Sequence, residues 1–180
     1  NNYLVIGPWR HSGANYDGTT LGDLKFEGDT ALQWRRDVLK PFFDHYLKDS
    51  PKPDTPKVMI YNTGENHWDR FANWPLACDK GCAAPLTPLY MAPNTSLSFA
   101  APSAGSQSYV SDPAKPVAYL PRPVRFSDTP RWQSWLTTDQ RPFANRPDVI
   151  TYETDALKTP LRISGVPVAD LYAATSGTDS

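Results

Sequence analysis

Proline is the feature that most constrains this chain, since 19 of its 180 residues are proline. An average protein contains roughly 5% proline, about half of this share. Proline has no amide hydrogen to donate, so it interrupts helix interiors and is excluded from central strands. The chain is therefore predicted to fold mostly into short strands and turns.

The rest of the composition is typical of a folded, near-neutral protein. Hydrophobic residues make up 39% and aromatic residues 12%, enough for a core, which excludes a wholly disordered chain. The 18 basic and 19 acidic residues leave a net charge of −1, without the basic excess of nucleic-acid-binding or membrane-surface proteins. No apolar run approaches the ~20 residues that span a bilayer. We therefore expect neither a nucleic-acid nor a membrane partner.

The length and the two ends suggest a part of a larger protein. The 180 residues suffice for one ordinary domain or for parts of two. The chain begins at Asn1 without an initiator Met and enters a strand-like run at once, and it ends at Ser180 directly after another such run. We expect a piece of a longer protein that is truncated at both ends.

The first third of the sequence predicts a strand, a loop and a helix. Residues 3–6 are continuously apolar and are stopped by Gly7-Pro8, a pattern typical of a parallel strand buried on both faces. Residues 7–28 contain five glycines and predict a long loop. A helical period follows, with Asp29 as the predicted N-cap and Pro41 expected to kink or divide the helix. The Pro-rich stretch at its end predicts a domain boundary, which gives units 1–55 and 56–180.

After Pro56 the apolar period changes to two, which is typical of strands. Clusters of Pro, Gly, Asn and Asp separate the apolar runs. The pattern predicts a mostly β unit, a sandwich of jelly-roll type. The predicted strands are residues 57–64, 87–91, 97–99, 117–120, 149–154, 161–163 and 168–173.

Three histidines are the first candidates for chemistry. His11 follows a buried-type strand inside a Gly-rich loop, the place where functional groups of open α/β sheets collect, so it is either a catalytic base or a locally bonded loop residue. His45 is expected at the polar edge of the helix. His67 is either a metal or sugar contact or, the favoured interpretation, a turn residue packed beside Trp68.

The cysteines and tryptophans leave alternatives open. Cys78 and Cys82 either form a small disulfide, which implies an exported protein, or remain two free thiols. No second Cys pair and no nearby His completes a zinc site with them, and their spacing does not fit the redox motif C-x-x-C. Four tryptophans either form a carbohydrate-binding platform or serve packing: Trp68, Trp74, Trp132 and Trp135. No nucleophile elbow, phosphate-binding loop or zinc-protease motif occurs in the sequence.

Several sequence blocks together resemble a known family. The blocks are Gly-Pro-Trp-Arg-His-Ser-Gly at 7–13, Phe-Phe-Asp-His-Tyr-Leu at 42–47, Tyr-Asn-Thr-Gly-Glu-Asn-His-Trp at 61–68, Asp-Gln-Arg-Pro at 139–142, and Arg-Pro-Asp-Val at 146–149 followed by Tyr152. This series resembles the α-amino-acid ester hydrolases. They belong to a wider group with cocaine esterase-like and glutaryl-cephalosporin acylase-like serine hydrolases and X-Pro dipeptidyl-peptidases.

The resemblance implies the C-terminal segment of an α/β-hydrolase domain followed by a jelly-roll domain. It implies a Ser-Asp-His triad of which only His11 lies in this chain, with the Ser and the Asp upstream. The implied reaction is acyl transfer from α-amino-acid esters and β-lactam side-chain amides, with a small-molecule substrate and without a metal or organic cofactor.

This chain alone is expected to be inactive, and the parent to be periplasmic or secreted. A second hypothesis is a carbohydrate-binding or adhesion module. The oligomeric state stays open, including a homo-oligomer.

Overall fold

The computed structural model describes residues 2–118, 120, 123, 125, 127, 129–135 and 137–177. In these residues short strands outnumber helices, in agreement with the predicted mostly β character. The strands are β1 (Leu4–Ile6), β2 (Thr20–Leu21), β3 (Leu24–Lys25), β4 (Val58–Asn62), β5 (His67–Phe71), β6 (Tyr90–Ala92) and β7 (Ser96–Ser98). The helices are α1 (Thr30–Trp34), α2 (Lys40–Lys48) and α3 (Thr129–Trp135).

The largest sheet has the strand order β1-β4-β5, with β4 in the centre. Strand β1 pairs in parallel with β4, and β4 pairs antiparallel with β5. The central strand supplies most of the core, since Val58, Met59 and Tyr61 are 5%, 9% and 6% exposed. Its apolar residues follow each other without alternation, which is the pattern of a strand covered on both faces. The predicted strand at 57–64 is confirmed.

The helical segment begins and divides where the sequence predicts. The Asp29 carboxylate accepts hydrogen bonds from the amides of Ala31 and Leu32, which confirms it as the N-cap of α1. Between α1 and α2 lies a π-helical turn, Arg35–Leu39, in which the amide of Lys40 donates to the carbonyl of Arg35. Pro41 follows in the first turn of α2. Because Pro41 cannot donate, the wider turn before it divides the helix, as predicted.

Strand β1 corrects one prediction. Its parallel pairing with β4 agrees with the sequence pattern, but burial on both faces is wrong for this chain, since Leu4 and Ile6 are 37% and 41% exposed. In the described residues β1 is an edge strand, so these two side chains are only partly covered. The loop predicted for 7–28 also contains structure, namely a 3-10 turn at Gly13–Asn15 and the hairpin β2–β3.

The predictions for residues 87–173 are only partly correct. Hairpin β6–β7 lies close to the predicted strands at 87–91 and 97–99. Of the predicted strand at 117–120, Tyr119 lies outside the described residues. No strand forms at 149–154, 161–163 or 168–173, apart from one bridge between Glu153 and Ser96. A strand needs a partner as well as an alternating pattern, and the described part of the chain supplies none to these segments.

Two further contacts bear on the predicted organisation. Cys78 and Cys82 form a disulfide with a Cα–Cα distance of 5.5 Å, which confirms the predicted proximity. Strand β1 lies before the predicted boundary at 55/56 and β4 after it, and the two share one sheet; the division at 55/56 stays a prediction. No helix within the described residues is long and apolar enough to cross a membrane.

Candidate functional site

His11 lies on a tight turn just beyond the carboxyl end of β1. The amide of Gly13 donates to the carbonyl of Arg10 at 2.8 Å, so His11 and Ser12 occupy the tip of the turn. Ser12 is left-handed, with φ 62° and ψ −1°, a conformation that glycine adopts more readily. The His11 side chain is exposed. The turn thus presents an imidazole to solvent at the end of a parallel strand.

The indole of Trp9 anchors the chain two residues before His11. Its ring lies 5.4 Å from that of Trp34 and 5.9 Å from that of Trp68, so it packs against both the helical segment and the main sheet. A Cβ atom built on Gly7 would lie 2.4 Å from the Trp9 ring. The close approach of this backbone to the indole therefore requires glycine at position 7.

A buried hydroxyl connects Trp9 to the far end of the loop. The Nε1 atom of Trp9 donates to Oγ1 of Thr30 at 2.9 Å, and this hydroxyl donates to the carbonyl of Gly18 at 2.8 Å. Thr30 is 0% exposed. A Cβ on Gly18 would lie 2.3 Å from the amide nitrogen of Ala31, so the chain passes directly against the start of α1.

Asp29 makes a second connection at the same place. One oxygen, Oδ1, accepts the amides of Gly18, Ala31 and Leu32 at 2.8, 3.0 and 2.9 Å. Partial burial by itself raises the pKa of the Asp29 carboxyl, but the three amides outweigh it and hold the pKa below its usual value. The same carboxylate therefore caps α1 and fixes the end of the loop.

A third connection and a cavity complete the surroundings of the turn. The guanidinium of Arg35 donates to the carbonyl of Ala14 at 2.6 Å, which ties the middle of the loop to the π-helical turn. Beside the turn is a cavity of about 330 Å³, lined among others by Arg10, Asp17 and Gln133 of α3. The loop is thus fixed at both ends and in the middle, next to a polar cavity.

The other two histidines have structural partners. His45 Nδ1 lies 2.7 Å from the carbonyl of Ser50, where it holds the chain after α2. His67 is the first residue of β5, and its Nε2 lies 3.0 Å from Asp69, which also pairs with Arg162. The expectation of a turn residue at His67 is therefore wrong. No group of three potential metal ligands occurs in the part of the chain that the structure describes.

The tryptophans predicted as a possible sugar platform pack against neighbouring residues where the structure describes their side chains. The Trp68 indole N–H donates to Gln33 Oε1 at 3.0 Å, and its ring lies 5.2 Å from that of Tyr61. The ring of Trp74 lies 6.2 Å from that of Phe71. Trp135 is half-buried on α3, and the side chain of Trp132 lies outside the part of the chain that the structure describes.

Chemically, the turn offers an imidazole that can accept a proton. In the described residues, no hydroxyl or carboxylate forms a hydrogen bond to the His11 ring. The sequence predicted the position of His11 and the cap at Asp29, but it did not single out Thr30 or Gly18. Their partners lie 12 and 21 residues away along the chain, and no local pattern identifies them.

Comparison with known proteins gives consistent results. Residues 52–180 match the family described as the X-Pro dipeptidyl-peptidase C-terminal non-catalytic domain. Cocaine esterase from Rhodococcus sp. (strain MB1 Bresler) is 31% identical over 98% of this chain and 31% of its own length.

Two solved structures are similar in both sequence and fold. An α-amino acid ester hydrolase, labelled with selenomethionine, is 60% identical, with a TM-score of 0.82 over 91% of this chain and 27% of that protein. An aminopeptidase from a marine sediment archaeon, Thaumarchaeota archaeon, is 44% identical, with a TM-score of 0.77 over 91% of this chain and 26% of that protein. The chain thus spans about a third or less of the relatives it matches, and it corresponds to their C-terminal part.

Proposed function

The chain belongs to the family of the X-Pro dipeptidyl-peptidase C-terminal non-catalytic domain, and on this premise we propose that it is part of a serine hydrolase in which His11 is the general base. The proposed substrates are α-amino-acid esters and β-lactam side-chain amides. The 60% identical α-amino acid ester hydrolase supports the ester part of this proposal, and the similarity to cocaine esterase supports ester cleavage more generally.

The position of His11 outside the non-catalytic domain supports a catalytic role. The family match begins at residue 52, so β1, the His11 turn and the helical segment all precede it. We propose that they are the end of an α/β-hydrolase domain, and that the remainder of the chain is part of a jelly-roll sandwich. Parallel pairing of β1 and the exposed apolar side chains of Leu4 and Ile6 fit a strand whose sheet continues in the parent.

The reaction uses His11 in both half-reactions. A Ser of the parent attacks the acyl carbonyl while His11 accepts its hydroxyl proton, and His11 then donates that proton to the leaving oxygen or nitrogen. In the second half, His11 accepts a proton from water or from an incoming amine that attacks the acyl-enzyme, and returns it to the Ser. An Asp of the parent holds the imidazole in the required tautomer. The chain's own contribution is one correctly placed imidazole.

The observation that carries this proposal is the His11 turn itself. Its imidazole is exposed on a backbone fixed at three points at the carboxyl end of a parallel strand. In contrast, His45 and His67 each bind a neighbouring carbonyl or carboxylate. Functional groups of open α/β sheets lie beyond the carboxyl ends of the strands, which is where His11 lies.

Replacing His11 in the full-length parent tests the proposal. We expect His11→Ala to lower kcat for an activated α-amino-acid ester roughly 10³-fold or more, because triad members act as a unit. The control is His67→Ala, which removes an exposed histidine outside the loop and should keep kcat within about threefold. A folded His11→Ala variant with more than about a tenth of parental turnover would falsify the role of His11.

The disulfide supports a proposal about location. Disulfides persist mainly in oxidising compartments, and Cys78 is bonded to Cys82. We therefore propose a periplasmic or secreted parent protein. Fractionation of the native host, with immunodetection of the parent in each compartment, tests this proposal.

A further inference from the structure

We propose that Thr30 is a positioning residue for His11, because its single hydroxyl fixes the start of the loop that carries the imidazole. This inference rests on the proposed function of His11. The hydroxyl accepts from Trp9 Nε1 at 2.9 Å and donates to the Gly18 carbonyl at 2.8 Å. One buried oxygen thereby joins the residue two positions before His11 to the residue seven positions after it.

The three connections of the loop are not equivalent. Asp29 holds Gly18 and Arg35 holds Ala14, and both of these contacts lie after His11 in the chain. The carbonyl of Gly18 also accepts a hydrogen bond from the backbone amide of Thr30 at 3.2 Å, which Val or Ser at position 30 retains. The Thr30 hydroxyl is the hydrogen-bond partner of the Trp9 side chain. Loss of the hydroxyl would therefore loosen the part of the loop before His11 and leave the part after His11 fixed.

The left-handed conformation of the turn makes the hydrogen bond between Trp9 and Thr30 important for the position of His11. Ser12 holds a left-handed backbone without being glycine, and such a conformation persists only where the surroundings enforce it. Without the hydroxyl, the Trp9 indole keeps its ring contacts with Trp34 and Trp68 but loses its hydrogen bond, so the turn can relax toward an ordinary conformation and carry His11 with it. A displacement of about 1 Å at a catalytic group can lower the rate on the order of 10²-fold.

The test uses two substitutions at position 30 of the full-length parent. Thr30→Val keeps the shape of the side chain and removes the hydroxyl, whereas Thr30→Ser keeps the hydroxyl. We expect Thr30→Val to lower kcat for an activated α-amino-acid ester by about 10- to 100-fold, with KM within about twofold. Thr30→Ser should retain kcat within about threefold of the parent.

A second substitution of the same type controls for lost stability. Thr151→Val removes the hydrogen bond from Thr151 Oγ1 to the carbonyl of Ala144, 3.2 Å long and also partly buried, in the C-terminal domain. It should lower the midpoint of thermal unfolding and leave kcat unchanged. The rate of inactivation by an organophosphate, which requires the base but no substrate-specific contacts, should fall with kcat in Thr30→Val and stay constant in Thr151→Val.

The outcomes separate this inference from the proposed function. If His11→Ala abolishes turnover but Thr30→Val keeps kcat within about threefold, or changes only KM, the positioning role is overturned and the base remains. If His11→Ala retains turnover, both are overturned. Should Thr30→Val not fold, Trp9→Phe removes the other partner of the same hydrogen bond while keeping an aromatic ring, and unchanged kcat in that variant overturns the inference.

Discussion

Among single residues, Gly18 makes the sharpest demand on space. Its backbone conformation is one that any residue can adopt, yet a Cβ there would lie 2.3 Å from the Ala31 amide nitrogen and 2.4 Å from Thr30 Oγ1. We expect Gly18→Ala to push the loop away from α1 and to cost about 1–3 kcal/mol of unfolding free energy. Comparing the thermal unfolding of the full-length parent with that of its Gly18→Ala variant measures this loss. Gly105→Ala is the control, because nothing lies within 4 Å of its Cβ position.

Single residues also show what a sequence can and cannot reveal. Asp29 was predictable because an acidic residue directly before a helical period is a local pattern, and the Cys78–Cys82 pair because its separation is short. The tie from Thr30 to Trp9 spans 21 residues and depends on how the loop folds back on the helix. Whether His11 acts as a base stays a prediction until the parent is tested.

Among the secondary-structure elements, α1 depends on the charge state of its cap. Because folding lowers the pKa of Asp29 below its ordinary value of 3.8, its stabilising contribution is present above that pH. The contribution is lost as the pH falls through the folded-state pKa. Asp29→Ala should therefore cost about 1 kcal/mol of unfolding free energy near neutral pH, and less below about pH 3.8.

Denaturant unfolding of the parent and the variant between pH 7 and pH 3 checks this dependence. Asp79→Ala, a change at an exposed position of the disulfide loop, is the matched control and should be neutral across that range. A difference between Asp29→Ala and the parent that stays constant, or grows, on acidification would contradict the assigned cause.

Elements defined by local pattern were predicted well, and elements that need a distant partner were not. The helical segment and β4 follow from apolar periodicity within the segment itself. Residues 161–173 have the same alternation as a strand, but they remain unpaired and expose Ile163, Val168 and Leu171 at 84%, 67% and 62%. Pairing and burial depend on the whole fold, which also explains why β1 is less buried than its sequence suggests.

In the molecule as a whole, the family domain makes up most of the chain, whereas the proposed chemistry depends on a short loop before it. The proposed base, His11, lies on a loop that precedes the family match, and that match covers a domain described as non-catalytic. The relatives are more than three times as long as the part that this chain matches. The triad we propose, with a Ser and an Asp elsewhere in the parent, would account for this distribution, because base, nucleophile and acid need only meet in space.

This chain by itself should therefore show no esterase activity. An isolated imidazole can accept a proton, but the covalent step needs a nucleophile and a set of donors for the oxyanion, which we place in the rest of the parent. The test is stopped-flow hydrolysis of a 4-nitrophenyl ester of an α-amino acid, with the full-length parent as the positive control and His11→Ala of this chain as the background. We expect the chain and its His11→Ala variant to give the same slow rate, without a burst. A burst that a serine-directed inhibitor abolishes would show that a nucleophile lies within these 180 residues. The division of the triad between this chain and the rest of the parent would then be wrong.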